Sequence, residues 1–320
     1  MTIYSRILGT GSYLPPKRIT NDDLAKTIDT SDEWIRTRTG IVARHIAENE
    51  QTGDMAAKAA QIALDTAGVS IDEIDLIIVA TTTPDMTFPS TACIVQNKLG
   101  ITHRCPAFDI QAVCSGFMYS FVTANQYIQN GMAKKALIIG AETLSHLIDW
   151  SDRNTCVLFG DGAGAVVLGA SDEAGFIHAK LHADGSYANI LNATGKPVNN
   201  QLDNSAFIYM DGQAVFKFAV NALAEVGTQT LEEAGYSTQD IDWLVPHQAN
   251  LRIIASTAKH MKLPMDKVIV TVDEHANTSA ASIPLALDNG IRAGKIKRND
   301  LLLLEGIGGG FTWGSVLLRY

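Results

Sequence analysis

A chain of 320 residues is long for a single core and natural for two units of roughly 150 residues each. Its 46% hydrophobic and 18% charged content describe a well-buried globular protein, and a net charge of −9 argues against nucleic acid as the main partner, because phosphate binding needs clustered Lys and Arg. No apolar run approaches the roughly 20 residues that cross a bilayer, so no membrane insertion is expected.

The opening stretch, MTIYSRILGTGSYLPP, lacks the basic, apolar and small-residue order of a secretory signal. Cys93, Cys105, Cys114 and Cys156 show neither CxxC spacing nor an extracellular framework, and a reducing cytoplasm is the expected location. Strand and helix signals then alternate, as in an α/β fold with a largely buried sheet. A helix is predicted over 54–67, with Asp54 favourable near its N-terminus. DLIIVA (75–80) follows as a strand. An extended run over 107–112 meets the small-residue turn Cys114-Ser115-Gly116 and a helix over 115–130. ALIIG (136–140) and AVVLGA (165–170) are further strands. Residues 183–210, polar and containing several Gly, Asn and Asp, fit a surface excursion covering a site. A helix over 213–234, the strand DWLVP (242–246), a helix over 279–293 and the strand LLLLEG (301–306) complete the series. These apolar runs are too short and too uniformly apolar for amphipathic helices and fit central strands.

The chain repeats itself. Leu64, Ala67, Gly68, Ile74 and Asp75 recur at the same spacing as Leu231, Ala234, Gly235, Ile241 and Asp242, each set leading into a strand. Each half closes on a Gly-rich turn feeding a final strand, GDGAGAVVLGA (160–170) and GGGFTWGSVLL (308–318). The boundary is therefore set between residues 1–171 and 172–320. The interval from Gly131 to Gly294, which end two helices, equals that from Cys114 to Asn277. A thiol and an amide would then occupy matching helix starts, and a pseudo-twofold axis would bring them together.

Three residues can carry chemistry there. A thiol at a helix start is favoured as thiolate by the macrodipole and free N–H groups, which makes Cys114 a candidate nucleophile. His247 is the first polar residue past the strand end at Pro246, and ligands collect at the carboxyl ends of strands in open α/β sheets. Asn277 can cap a helix or donate to a developing oxyanion, and the residues alone leave both roles open. Gly308-Gly309-Gly310 can aim N–H groups at a ligand, but lacks the Walker Gly-Lys-Ser/Thr and the helix that GxGxxG requires. His103 and Cys105 form an incomplete ligand set, and no metal is expected.

DIQAVCSGF, VPHQANLRI, HANTSAAS and GIGGGFTWGS together resemble the β-ketoacyl-acyl-carrier-protein synthase III family of the thiolase-like superfamily, over essentially the whole chain. TSDEWIRTRTGI (30–41) and DRNTCVLFGDGAGA (152–165) agree. The resemblance implies two βαβαβαββ halves in a layered α-β-α-β-α core, and a homodimer. It implies decarboxylative condensation of an acyl-CoA primer, with acetyl-CoA expected, onto malonyl-acyl carrier protein to initiate fatty acid synthesis. No permanently bound cofactor is implied. It carries the nucleophile onto Cys114, two hydrogen-bonding partners onto His247 and Asn277, and the oxyanion-hole amides onto Cys114 and Gly309. Coenzyme A binding falls on Trp34, Arg38, Arg153, Gly212 and Asn250, with Trp34 and Arg153 sandwiching the adenine. Phe88 is expected to cross a dimer interface into the partner's acyl pocket. Ile307 stands in the acyl pocket where some members have Phe. Arg252, Lys217 and Lys259 fall on the carrier-protein docking patch.

A thiolase would need a second cysteine near the C-terminal glycines. An elongating synthase usually carries histidine where Asn277 stands, and a hydroxymethylglutaryl-CoA synthase a glutamate near 80–90, where only Asp85 occurs. A papain-type hydrolase and a non-catalytic binding protein fit the duplication and the intact triad poorly. A condensing enzyme of secondary metabolism with the same triad remains the alternative.

Overall fold

The alternating signals resolve into two main sheets, one from each half of the sequence, with two small ribbons beside them that pair the second strand with the third and the ninth with the tenth. The computed structural model describes residues 3–195 and 206–320. In chain order the strands are β1 (Tyr4–Tyr13), β2 (Lys17–Thr20), β3 (Ala43–Ile46), β4 (Leu76–Ala80), β5 (Ala107–Ile110), β6 (Lys135–Thr143), β7 (Asp161–Ser171), β8 (Phe176–Ala183), β9 (Leu191–Asn192), β10 (Tyr209–Met210), β11 (Trp243–Pro246), β12 (Leu301–Gly308) and β13 (Thr312–Arg319). The helices are α1 (Asn21–Leu24), α2 (Asp32–Thr39), α3 (Thr52–Ala67), α4 (Thr91–Lys98), α5 (Gly116–Gln129), α6 (Gly212–Glu233), α7 (Leu251–His260), α8 (Val272–His275) and α9 (Ser282–Arg292). One sheet runs β1-β7-β6-β4-β5 and the other β11-β12-β13-β8. In the first, β4 pairs in parallel with both β5 and β6; in the second, β11 and β12 are parallel.

Successive strand residues point to opposite faces, and here both faces are covered. Leu76, Ile78, Ala136, Ile138, Val166 and Leu168 face a layer in which Phe117, Phe121 and Ile128 of α5 meet Ile283, Ala286 and Leu287 of α9. Leu302, Leu304, Val316 and Leu318 of the second sheet close that layer from the other side. The alternate residues Ile77, Val79, Leu137 and Ile139 pack on α3. Leu244, Leu303 and Leu317 pack on Leu231 of α6 and Ile254 and Ala258 of α7. Helices, sheet, helices, sheet and helices therefore stack as five layers, with α5 and α9 in the middle.

Gly140 shows how closely the halves are pressed. A Cβ there would lie 2.1 Å from the Ala280 carbonyl oxygen, so only glycine lets the segment before α9 rest on β6. α3 opens where expected, with the Asp54 carboxylate accepting from the Gln51 N–H at 2.9 Å. The duplicated Gly68 and Gly235 both take left-handed φ, 63° and 79°, at the ends of α3 and α6.

The expected match of Cys114 to Asn277 requires correction. Gly131 and Gly294 do follow α5 and α9, but α5 has 14 residues and α9 has 11. Aligning the closing glycines therefore displaces the openings by about one turn. Each helix is preceded by a one-turn 3-10 segment, Val113–Ser115 and Ser279–Ala281, and each segment begins with a left-handed residue, Val113 (φ 48°) and Ser279 (φ 50°). Counted from the openings, Cys114 corresponds to Ala280, and Asn277 lies just upstream of its own segment.

Candidate active site

The chain leaves β5, turns at Val113 and presents Cys114 in the 3-10 segment ahead of α5. A β-branched residue at φ 48° is a strained choice, costing about 1–3 kcal/mol, and such strain is typical of functional turns. Gly308 supports the turn from the second half: a Cβ there would fall 2.6 Å from the Cys114 nitrogen. Cys114 is 6% exposed. Burial pushes its thiol up to about 12, the Ser279 hydroxyl opposing and the Glu142 charge adding to the rise. The helix-start argument expects the opposite direction.

His247 arrives from the other half. Its N–H donates to the Glu305 carbonyl at 2.7 Å, continuing the parallel β11–β12 ladder one residue past Pro246. Its Nδ1 lies 2.6 Å from Ser282 Oγ, and the Gln248 N–H donates to that same oxygen at 3.3 Å. When Ser282 gives its proton to Nδ1, the neutral ring carries its hydrogen on Nε2. Burial keeps the ring neutral, pushing its pKa down to about 3.

Asn277 is clamped by the DRNTCVLFGDG segment. Its N–H donates to the Leu158 carbonyl at 2.9 Å and its carbonyl accepts from the Gly160 N–H at 3.0 Å. Its Oδ1 accepts from the Ser279 N–H at 2.9 Å, which turns the Nδ2 donor to the other side. The cap role weighed for it is realised only as this local bond, since α9 opens at Ser282. Between the parts stands Gly306, where a Cβ would meet the Cys114 carbonyl at 3.4 Å and His247 Cβ at 3.7 Å.

Cys114, His247 and Asn277 all line one cavity of about 1250 Å³. Trp34, Arg38, Gly212, Asn250, Arg252, Ile307 and Gly309 line it as well. Arg153 sits beside its mouth with its guanidinium 4.9 Å from the Trp34 ring centroid, and Arg38 approaches the same ring at 4.5 Å. At 4.9 Å no adenine fits between Trp34 and Arg153, so a sandwich requires the arginine to swing away. Asn250 caps α7, its Oδ1 accepting from the Arg252 N–H, while its Nδ2 donates to the Arg38 carbonyl. Lys217 and Lys259 are exposed on α6 and α7 beyond the cavity wall. Phe88 does not line this chain's cavity and is 83% exposed on the loop before α4. Of the polar excursion over 183–210, residues 196–205 lie outside the described ones; its flanks, including Leu191 and Met210, line the cavity.

Sequence reasoning missed Glu142, Ser279, Ser282 and the Thr81-Thr82-Thr83 run. The strand-end rule that found His247 applies equally to Thr81 after β4 and to Glu142 near the end of β6, so a signal was present. Ser282 acts only through tertiary contacts, and Ser279 through a local bond to Asn277 and a tertiary one to Glu142.

The sequence model of the 3-oxoacyl-[acyl-carrier-protein] synthase III family matches residues 108–185, and that of its C-terminal part matches 231–320. A β-ketoacyl-[acyl-carrier-protein] synthase III of Neisseria meningitidis serogroup A is 66% identical over 318 residues, 99% of each chain. The chain belongs to this family. It is a condensing acyltransferase. A relative from Laribacter hongkongensis is 61% identical, again over 99% of each. The crystal structure of the Aquifex aeolicus 3-oxoacyl-[acyl-carrier-protein] synthase III superposes with a TM-score of 0.94 at 49% identity, covering 99% of this chain and 100% of that one. The priming β-ketosynthase of the R1128 polyketide pathway also superposes at 0.94, but at 35% identity, covering 99% and 97%. The higher identities lie with the synthase III enzymes, and the secondary-metabolism alternative is not favoured. The five layers are the thiolase-like fold.

Proposed function

We propose that the chain carries out the initiating condensation of fatty acid synthesis, joining an acyl-CoA primer to malonyl-acyl carrier protein, with Cys114, His247 and Asn277 as its working residues. One observation carries this reading: a thiol from one half and an imidazole and an amide from the other line a single cavity. Such a site has a nucleophile and two hydrogen-bonding partners.

The Cys114 sulfur attacks the primer's thioester carbonyl. The Cys114 and Gly309 N–H groups hold the tetrahedral oxyanion, and the coenzyme A thiolate leaves. Malonyl-acyl carrier protein then enters. His247 Nε2–H and Asn277 Nδ2–H donate to its thioester oxygen, where charge develops as carbon dioxide departs. The enolate attacks the acyl-enzyme, forms the new carbon–carbon bond and expels the Cys114 thiolate. A neutral imidazole suits this role, because it donates without having to ionise in a buried place.

Trp34, Arg38 and Arg153 at the mouth suit a nucleotide end, and Gly212 and Asn250 the thread of pantetheine. The 83% exposure of Phe88, beside Met86 at 57%, supports a homodimer whose partner covers this loop. Arg252, Lys217 and Lys259 form a basic edge suited to an acidic carrier protein. Acetyl-CoA is the proposed primer, with coenzyme A a substrate rather than a bound cofactor. Among the described residues no helix is long and apolar enough to cross a membrane, and a cytoplasmic location is proposed.

Intact-mass spectra after exposure to an acyl-CoA panel, and again after adding malonyl-acyl carrier protein, test the reading. The expected result is an acyl adduct on Cys114, absent in Cys114→Ala, discharged only by the malonyl donor as β-ketoacyl product, with ping-pong kinetics. An adduct elsewhere, or discharge by water at the same rate, overturns it.

A further inference from the structure

The largest side chain fully withdrawn from solvent among the described residues is a cation, Arg44 of β3. Its hydrogen bonds all go to neutral oxygens. Nη2 donates to Asn21 Oδ1 and to the Val157 carbonyl, both at 2.9 Å, and Nη1 to the Ile19 carbonyl at 3.3 Å. Burial pulls its pKa from 12.5 down to about 10, so it stays charged at neutral pH. A charge so placed is costly, and stability does not account for it, since an apolar side chain of similar volume would spare the desolvation. What a guanidinium supplies is a planar fork that reaches oxygens of three separate segments at once.

One of those segments is the strip that clamps Asn277, and Arg44 holds it at both ends. Nη2 fixes the Val157 carbonyl, and the Arg44 Cβ backs Gly160, where an added Cβ would lie 3.3 Å away. Along the strip, Leu158 accepts from the Asn277 N–H at 2.9 Å, Phe159 forms a parallel bridge with Asn277, and the Gly160 N–H donates to the Asn277 carbonyl at 3.0 Å. Ala276, immediately before Asn277, takes φ 56°, a conformation that persists in an alanine only where its surroundings impose it. Val157, Leu158, Phe159 and Asn277 line the cavity, while Arg44 stands behind them.

We propose that Arg44 is a positioning residue for the decarboxylation step, holding the 157–160 strip, and through it the Asn277 amide, in place against the malonyl thioester. The inference rests on Asn277 donating to that thioester oxygen, as in the reading above. The Asn277 side chain is turned by a local bond, its Oδ1 accepting from the Ser279 N–H. Its backbone N–H and carbonyl both pair with the strip, so a strip that shifts carries the amide with it. The Cys114 turn packs instead on Gly306 and Gly308 of β12. Loss of the fork should therefore separate the two half-reactions, slowing the one that uses Asn277 and sparing transfer of the primer onto Cys114.

Single-turnover measurements read the two steps apart: acetyl transfer from acetyl-CoA onto Cys114, and carbon dioxide release from malonyl-acyl carrier protein by the acetylated enzyme. The variants are Arg44→Met, which keeps the bulk and loses the fork, Arg44→Lys, Asn277→Ala, and each Arg44 substitution combined with Asn277→Ala. Carbon dioxide release should slow by about 10–10²-fold in Arg44→Met and by less in Arg44→Lys, with acetyl transfer near wild type in both. In the Asn277→Ala background neither Arg44 substitution should slow release further, because a residue acting through Asn277 has nothing left to place. A general structural role would slow both steps together and add to the Asn277→Ala loss, and either result overturns the proposal. Wild-type release in Arg44→Met overturns it as well. Should that variant fail to fold, Arg44→Lys, whose ammonium cannot span the three segments, decides in its place by the same criteria. Asn277→Ala releasing carbon dioxide at the wild-type rate would instead refute the role of Asn277, a separate failure.

Discussion

Glu305 should set the alkaline limit of stability, and Glu305→Gln should remove it. Its side chain leaves β12 toward α6, where a Cβ added at Gly227 would lie 3.1 Å from Oε2. Both carboxylate oxygens are buried without a hydrogen-bond partner, and burial pushes the pKa from 4.5 up to about 8. Between pH 4.5 and about 8 the folded protein therefore keeps a proton that the unfolded chain has released. The stability held by the neutral carboxyl is complete below 4.5 and is lost as pH rises through 8. His247 and His275, pushed down by burial to about 3 and 4 from 6.5, act the other way, and their cost grows only as pH falls below 6.5. The window from 6.5 to 8 thus isolates Glu305 from the buried histidines. At 1.36 kcal/mol per unit, wild type should lose about 1.5–2 kcal/mol across it that Glu305→Gln does not lose. Urea midpoints at both pH values and one fixed protein concentration measure this, since a proposed dimer makes stability concentration-dependent. A glutamine variant with the wild-type pH slope would refute the argument, whatever its stability at one pH.

Gly140→Ala places a methyl group 2.1 Å from the Ala280 oxygen, where both partners are backbone, and should cost about 1–3 kcal/mol or more in urea unfolding. Ser282→Ala releases Nδ1 of His247 from its fixed role. It should slow malonyl decarboxylation by about 10–10²-fold while leaving acylation of Cys114 near wild type, as separate single-turnover measurements would show. Trp34→Ala removes the ring that Arg38 and Arg153 approach, and should raise the KM for acetyl-CoA about tenfold at constant kcat. Acetyl-pantetheine, which lacks the base, should show no such change.

The two-sheet frame was legible because buried parallel strands are uniformly apolar: LIIVA, ALIIG, WLVP and LLLLEG each became a strand. β1, with Ser5, Arg6, Gly9 and Gly11 among its residues, and the β2–β3 ribbon carry no such run and were not placed. His247 was legible because a strand end is a local feature. Asn277 was reached through an equal spacing whose register is off by about one turn, since the shortening of α9 falls at its start, where sequence spacing cannot see it. A helix start is written in local sequence, but the burial that pushes the Cys114 thiol up, and the Glu142 charge that adds to it, come from parts of the chain distant in sequence.

Those distant contacts also explain why the site belongs to neither half. Cys114 is on the first half, yet its backbone is approached by Gly306 and Gly308 of the second. Asn277 is on the second, yet its backbone is held by Leu158 and Gly160 of the first. Ser279 reaches back across the same seam to Glu142. Each half supplies the scaffold for the other's reactive group, so a half folded alone would hold neither group in place. Gly140 and Gly164, whose Cβ positions fall 2.1 Å from Ala280 and 2.7 Å from Leu285, set how near the seam closes. A substitution at this seam should therefore act on the rate before it acts on the fold, because misplacing a bound reactant by about 1 Å can cost about 10²-fold in rate.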